Sequence, residues 1–424
     1  MRKFFQRRRV LAITAISFLA VLVIVALATF LWVKSGRFDQ WVVVQLKTAL
    51  AEYGIRAEIG GINPSVRGLS VELKDVKLYA KDDKEPFATF DQLNGTVRFR
   101  DLFKLNTPTE ISLQNLKLDG LKFWYKVDEK GVSNLAKLDF KKSAEKEIEN
   151  IEFNYAAASV EINRAEIFYV DTLRKLDGAA RNLEIKITPD RDKLFRILAN
   201  ADNCHFTLDG RETNDISFKL NSLANESGAK IESLTTTSPL LHAEMKGEMK
   251  SWEKLDYTLD AKAVVKMNEV TRVFAPETRI NGTANFEGKV VGTGVEYKAD
   301  GKLTSNNIVA KDVRIEGLHL KFNGNGKGAE FEANEEVLFQ KLDAAGFKVN
   351  RVAALGRIAG NGEDFTWLMD FKAGDVSGPD VKASGISFSN AKINFRADDL
   401  SKFKATGKAK VEHLVTADVD IGNI

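Results

Sequence analysis

A chain of 424 residues with 62 lysines and arginines against 59 aspartates and glutamates carries a formal net charge of only +3. No global field therefore draws in nucleic acid or another polyanion. Its single cysteine, Cys204, forms no internal disulfide, so stability has to come from burial and hydrogen bonding.

Residues Val10 to Val33 run for 24 positions without a charge, directly behind Arg2, Lys3 and Arg7-Arg8-Arg9. At a rise of about 1.5 Å per residue this stretch makes a helix of roughly 36 Å, enough to cross a hydrocarbon core of about 30 Å. The basic flank sets residues 1–9 in the cytoplasm, and Trp32 suits the far interface. The expectation is a single-pass transmembrane signal-anchor over 10–33, with the bulk of the chain exported. A cleaved secretory signal ending at Ala26-Leu27-Ala28 is the competing reading. Against it, the apolar run continues through Val33, and cutting there would leave an apolar stub.

Periodicity then changes twice. Within 38–53, Trp41-Val42, Leu46, Ala49-Leu50 and Tyr53 recur at three- and four-residue spacing, which predicts a short amphipathic helix with Gly54 at its C′ position. From Ile55 the period is two. Leu69-Ser70-Val71-Glu72-Leu73 alternates, slips by one at Lys74-Asp75 and resumes as Val76-Lys77-Leu78-Tyr79-Ala80. A slip inside a strand pattern marks a β-bulge or a tight bend. The same figure returns at Ile111–Leu118 followed by Leu121–Val127, and at Val160–Ile162 followed by Ala165–Tyr169. One strand-bulge-strand unit, repeated, points to a repeat architecture.

The stretch 141–150 is charged and nearly without apolar residues, and reads as a linker between a domain at 34–140 and a β-repeat region at 151–424. In the latter, Asn281-Gly282, Gly292-Thr293-Gly294 and Asn361-Gly362 sit where turns belong, and Gly324–Gly328 reads as a hairpin tip. All seven prolines fall between periodic segments. Residues 301–318 and 407–424 align without gaps and share six identities, which reads as a truncated repeat of a longer array. The fold class is therefore mostly β: the transmembrane and amphipathic helices, then a long curved antiparallel repeating β-groove.

Chemistry-bearing motifs are missing. Four scattered histidines have no metal-ligand spacing, and Cys204-His205 lacks any companion motif. The expectation is no catalytic, metal or cofactor site, and no enzyme. A sheet with one apolar face must cover it, either by another sheet, as in a closed β-sandwich, or with an apolar ligand such as acyl chains. Candidates for a lipid-lining face are Val71, Leu73, Val76, Leu78, Leu113, Leu116, Leu118, Leu121, Phe123, Val160 and Ile162, with Val10, Trp32 and Val33 marking the anchor.

The first 140 residues resemble the N-terminal region of the AsmA-like and TamB-like envelope proteins. The likeness is carried by the anchor, the helix ending at Tyr53-Gly54, Ile55–Gly60, Gly68–Leu78, Phe87–Leu93, Asp101–Leu105, Ile111–Leu118 and Gly131-Val132-Ser133-Asn134-Leu135. The resemblance implies a periplasmic, taco-shaped β-groove tethered to the inner membrane. About 20 strands at roughly 4.8 Å spacing would make it on the order of 100 Å long. It implies phospholipid as the partner, carried by its acyl chains towards the outer membrane. For the TamB-like branch the implied role is assembly of outer-membrane β-barrel proteins, which brings an outer-membrane protein as a second partner. Neither reading involves nucleic acid.

Overall fold

The computed structural model describes residues 43–44, 47–48, 50–65, 70–100, 109–138, 151–154, 158–277, 279–396, 404–416 and 419–422. The expected signal-anchor, with Val10, Trp32 and Val33, lies outside the described residues. Among those described, no helix is long and apolar enough to cross a membrane. The chain is mostly β and divides into two compact units, residues 1–225 and 226–424.

The first unit begins where a helix ends. Tyr53 N–H donates to Leu50 O and Gly54 N–H to Ala51 O, each at 3.0 Å, and Gly54 takes φ +73°, the left-handed stop expected of it. The strands that follow are β1 (Ile55–Ser65), β2 (Ser70–Ala80), β3 (Ala88–Arg100), β4 (Thr109–Asp119) and β5 (Lys122–Val127). Beyond 150 come β6 (Ile151–Asn154), β7 (Ser159–Asp171), β8 (Leu176–Pro189), β9 (Phe195–Leu208) and β10 (Arg211–Ala224). β1 to β4 form an antiparallel meander, as do β7 to β10. Pro64 sits inside β1, which pairs with β2 alone among the described strands, rather than between segments.

The sheet is not antiparallel throughout, as the alternation had suggested. β4 and β5 lie end to end, and β6 and β7 run parallel to them, with Leu116 opposite Val160 and Phe123 opposite Ile167. A parallel neighbour needs a connection of a dozen or more residues, and the sequence between β5 and β6 is longer than that. The charged stretch 141–150 lies outside the described residues but falls within that return. Strands on its two sides hydrogen-bond to each other, so both belong to one unit, and the two compact units meet at Asn225/Glu226.

The second unit is an antiparallel meander. Its strands are β11 (Ala229–Thr237), β12 (Leu241–Ser251), β13 (Asp256–Lys266), β14 (Ile280–Thr293), β15 (Glu296–Ala310) and β16 (Val313–Lys327). They continue as β17 (Glu330–Ala344), β18 (Phe347–Gly360), β19 (Asp364–Ser377), β20 (Val381–Arg396), β21 (Lys404–Lys410), β22 (His413–Thr416) and β23 (Asp420–Gly422). One helix, α1 (Met267–Phe274), interrupts it between β13 and β14 and is not legible in the alternation. Its Val273 is fully buried, and Ile280 N–H donates to Thr271 Oγ1 at 3.3 Å, tying the helix to the start of β14. The aligned segments 301–318 and 407–424 do correspond: the hairpin Ala310–Val313 falls where Thr416 N–H donates to Val419 O. Asn361-Gly362 is a turn, as its composition predicts, and of Gly292-Thr293-Gly294 only Gly294 is in the turn, the other two ending β14. Asn281-Gly282 is instead inside β14, and Gly324 to Lys327 are inside β16, with only Gly328 at the tip.

All three phase slips seen in the sequence are real. Asp75 has φ +51°, Gly120 separates β4 from β5 at φ +66°, and Arg164 has φ +53°. These breaks are neighbours. The line runs from Gly60 and Asp75 through Gly120 and Arg164 to Asn182, Asn203 and Asp215, one strand to the next. Except at Gly60, the breaks named here are left-handed, and most fall on Asp, Asn or Gly, the residues for which that conformation is least strained. Arg164 pins the line by pairing with Asp119 at 2.8 Å and Asp91 at 3.2 Å. A second line crosses the other unit through Gly282, Gly317, Arg351 and Gly385. Small buried residues follow both lines: Ala165 and Ala201 in the first, Ala284, Ser305 and Ala373 in the second.

Asn203 is exposed, so its backbone conformation can be tested apart from packing. Asn203→Val should lower the stability of the first unit by about 1–2 kcal/mol, while Asn203→Gly stays close to wild type in thermal unfolding.

Candidate functional site

Ten of the eleven lining candidates converge as expected, but on a closed core. Leu73, Val76, Leu78, Leu116 and Leu118 are all buried, packed with Leu50, Phe87, Phe90 and Leu93. Val71, Leu121, Phe123, Val160 and Ile162 pack partly buried against the same cluster. For Leu113 only the backbone is described, opposite Val97. Protein already covers the five buried residues, so they form the core of the first unit rather than an open lining.

The open apolar surface is in the second unit. Strand parity puts Leu241, Ala243, Met245, Gly247 and Met249 of β12 on one face and His242, Glu244, Lys246, Glu248 and Lys250 on the other. The first set is half-buried and the second exposed. Register carries this division onward. Leu259, Val290, Ala299, Gly324, Ala333 and Ile358 follow one another across successive strands, all only half-buried. A closed β-sandwich would bury such residues completely, and none of this row is buried. The sandwich reading therefore does not describe this face.

Glycine and aromatic positions interleave along it. Tyr257 pairs with Gly292, Tyr297 with Gly326, and Phe331 with Gly360. The rings lie over these glycines: a Cβ at 292 would stand 2.5 Å from Tyr257 Oη, and one at 326 would stand 2.4 Å from Tyr297 Oη. Phe365 stacks on Phe395 at 5.1 Å between centroids. Each ring fills the gap its neighbour leaves, so the face is even rather than pocketed.

The polar face is organised by charge. Glu287 stands between Lys302, at 2.8 Å, and Lys262, at 3.0 Å. The hydrogen bond from Lys302, then that from Lys262, holds its carboxyl well below the usual range, at about 2. A recess of about 1340 Å³ crosses β11 to β18. Register sets its charged walls, among them Lys246, Asp260, Lys262, Glu287, Lys321 and Glu336, on this polar face. The recess is thus not the apolar surface.

One position breaks the apolar face. Glu335 occupies it on β17, opposite Phe322 on one side and Gly356 on the other. Burial pushes its carboxyl up to about 6. Its Oε1 has no hydrogen-bond partner and is shielded from water, and so is Trp367 Nε1. The alternation alone reads Asn334-Glu335-Glu336 as a polar turn-like run and hides which of the three faces inward. Among the described residues no cluster of His, Cys, Asp and Glu could hold a metal ion. Cys204 is buried and its thiol is pushed up by that burial, away from nucleophilic behaviour. Comparison with protein-family models, with curated proteins and with solved structures returned no match to this chain.

Two outcomes follow. At 1% exposure Leu116 tolerates no charge: Leu116→Ala should cost about 2–5 kcal/mol, and Leu116→Asp should abolish cooperative unfolding of the first unit. Glu335 binds its proton more tightly folded than unfolded. Its contribution is therefore favourable below about pH 4.5 and lost as pH rises through about 6. Glu335→Gln should match wild type at pH 4 and exceed it by up to about 2 kcal/mol at pH 8 in denaturant titrations.

Proposed function

We propose that this is an inner-membrane-anchored periplasmic protein of envelope biogenesis that carries phospholipid acyl chains on an apolar β-groove towards the outer membrane. The observation that supports the reading is the apolar face running from β12 to β20, whose residues are mostly only half-buried among the described residues. An uncovered apolar area of that extent marks a surface that meets apolar matter. The 24-residue apolar run behind a basic flank and the AsmA-like order of the first 140 residues support the same assignment.

The physical logic is direct. Each methylene moved from water onto apolar surface gains about 0.8 kcal/mol, so two acyl chains are held without any headgroup contact. An even lining gives successive chain positions nearly equal energy, which lets a chain advance without climbing out of one deep site. The bend lines give the sheet the means to curve, since bulges bend the strands that carry them. Scaffolding of outer-membrane barrel strands at a free sheet edge is the alternative, and it places function in the backbone edge instead.

Mass spectrometry of the purified full chain separates the two. Co-purified phospholipid is expected, and bound barrel precursors without lipid would replace the reading by the scaffold. Val290→Asp with Ile358→Asp, both at half-buried positions, should remove most of the lipid while circular dichroism is unchanged. Val291→Asp with Leu355→Asp, on the exposed opposite face, should leave the lipid in place. Equal lipid content in both pairs would overturn the assignment of the face.

A further inference from the structure

We propose that the aromatic row along the hairpin margin of the second unit's apolar face seats the ester end of a phospholipid acyl chain. The hydroxyls of Tyr257 and Tyr297 donate to the ester carbonyl, and the chain lies along the strands towards the bend line. The inference rests on the lipid reading of that face and adds how the lipid is oriented and which residues orient it.

Register places Tyr257, Tyr297, Phe331, Phe365 and Phe395 in one row across β13 to β20, with Gly292, Gly326 and Gly360 between them. Both tyrosines of residues 226–424 stand in it. The strand ends and turns just beyond carry Lys254, Glu296, Lys327, Glu330 and Asp364, with Lys327 paired to Glu296 at 2.7 Å. On the inner side, three further rows from β13 to β19 hold apolar residues and glycine, save Glu335, whose Oε1 is shielded from water. The margin therefore passes from charge, through amphipathic rings, to hydrocarbon. A membrane leaflet has the same order, with tyrosine rings at headgroup level, apolar body inward and hydroxyl in the wet.

The depth of the strip fits one chain. From Tyr257 to Ala263 and from Tyr297 to Leu303 it runs six residues, about 20 Å along a strand. A bilayer's hydrocarbon core is about 30 Å thick, which leaves roughly 15 Å to the acyl chains of each leaflet. At its inner side the strip ends on Ala284, Ser305 and Ala373, buried along the bend line, so the polar end of a lipid belongs at the tyrosines.

The hydroxyls are free to serve it. Among the described residues neither has a partner in the protein, and neither is shielded from water. Their rings lie over Gly292 and Gly326, which sets the two hydroxyls two strands apart, about 10 Å. A phenol donates one hydrogen bond, and an ester carbonyl only accepts. Burial, and then the neighbouring Tyr297, push the Tyr257 hydroxyl up, so it keeps the proton it donates.

The test uses the full chain in amphipol, loaded with phosphatidylcholine brominated either at carbons six and seven or at carbons eleven and twelve. Bromine quenches tryptophan at close range, and Phe286→Trp sets a reporter in the innermost row, its signal read as the difference from wild type. Quenching by the later bromines should exceed that by the earlier ones. The reverse order, or equal quenching, overturns the orientation. In a second arm, wild type should hold diacyl over dialkyl ether phosphatidylcholine by about tenfold. Tyr257→Phe with Tyr297→Phe should lose that preference and bind the ether lipid as wild type does. A preference that survives the double substitution overturns the role of the hydroxyls and leaves the lipid reading standing. Failure of wild type to hold any of these lipids overturns the lipid reading itself.

Discussion

The constraint on which the rest of the structure depends is the alignment of its backbone breaks. A β-bulge bends one strand, and an isolated one is absorbed by its neighbours. Here the breaks fall side by side, from Gly60 and Asp75 to Asp215 in one unit and from Gly282 to Gly385 in the other. Successive strands of a unit therefore change direction along one line. Such a line is demanding: each left-handed residue other than glycine costs roughly 1–2 kcal/mol, and only concerted packing keeps the set in place. Ala165 and Ala201, both with no exposed surface, lie on the inner side of the first line, where a larger side chain would force the bend open. Ser305 does comparable work in the second, donating from Oγ to Thr283 O at 2.7 Å where the ladder is interrupted.

Bending by a line of bulges leaves the alternation of side chains intact on either side, and the chemistry of the two faces follows. Charges on the polar face pair across strands, as in Lys262–Glu287–Lys302 and Lys321–Glu336. These exposed pairs add little to stability, but they keep that face soluble and neutral overall. The apolar face is shaped by the opposite device, aromatic rings laid on cross-strand glycines. Upright rings would divide the surface into compartments. Flat ones make a floor, and a floor favours ligands bound by area rather than by shape.

Much of this was legible in the residues. The slips at Lys74-Asp75, at Asn115 to Leu121 and at Ile162 to Ala165 correspond to bulges because a period-two pattern cannot change phase without one. Gly54 reads as a helix stop because it alone escapes the penalty for left-handed backbone there. The parallel junction of β4 and β5 with β6 and β7 was not legible, since parallel and antiparallel neighbours bury the same alternation. Nor was α1, whose eight residues follow β13 directly with no side-chain cap to announce it. Asn281-Gly282 and Gly324 to Lys327 carry turn composition but serve close approach, the first at a bend and the second beneath rings. Ten of the candidate lining residues share one face, but periodicity reports which side chains share a face and not whether another element covers it.

That last distinction separates the two units physically. In the first, Leu50, in the last turn of the helix, shares one buried cluster with Leu73, Val76, Leu78, Leu116 and Leu135. The apolar side there is satisfied by the chain itself. In the second, the one helix among the described residues is the short α1, which packs on β13 and β14. Beyond β14 every described element of this unit is a strand of the same meander. A sheet in that position either recruits apolar matter or aggregates. The rings laid on glycines and the charges paired across strands keep the two faces of that sheet chemically distinct.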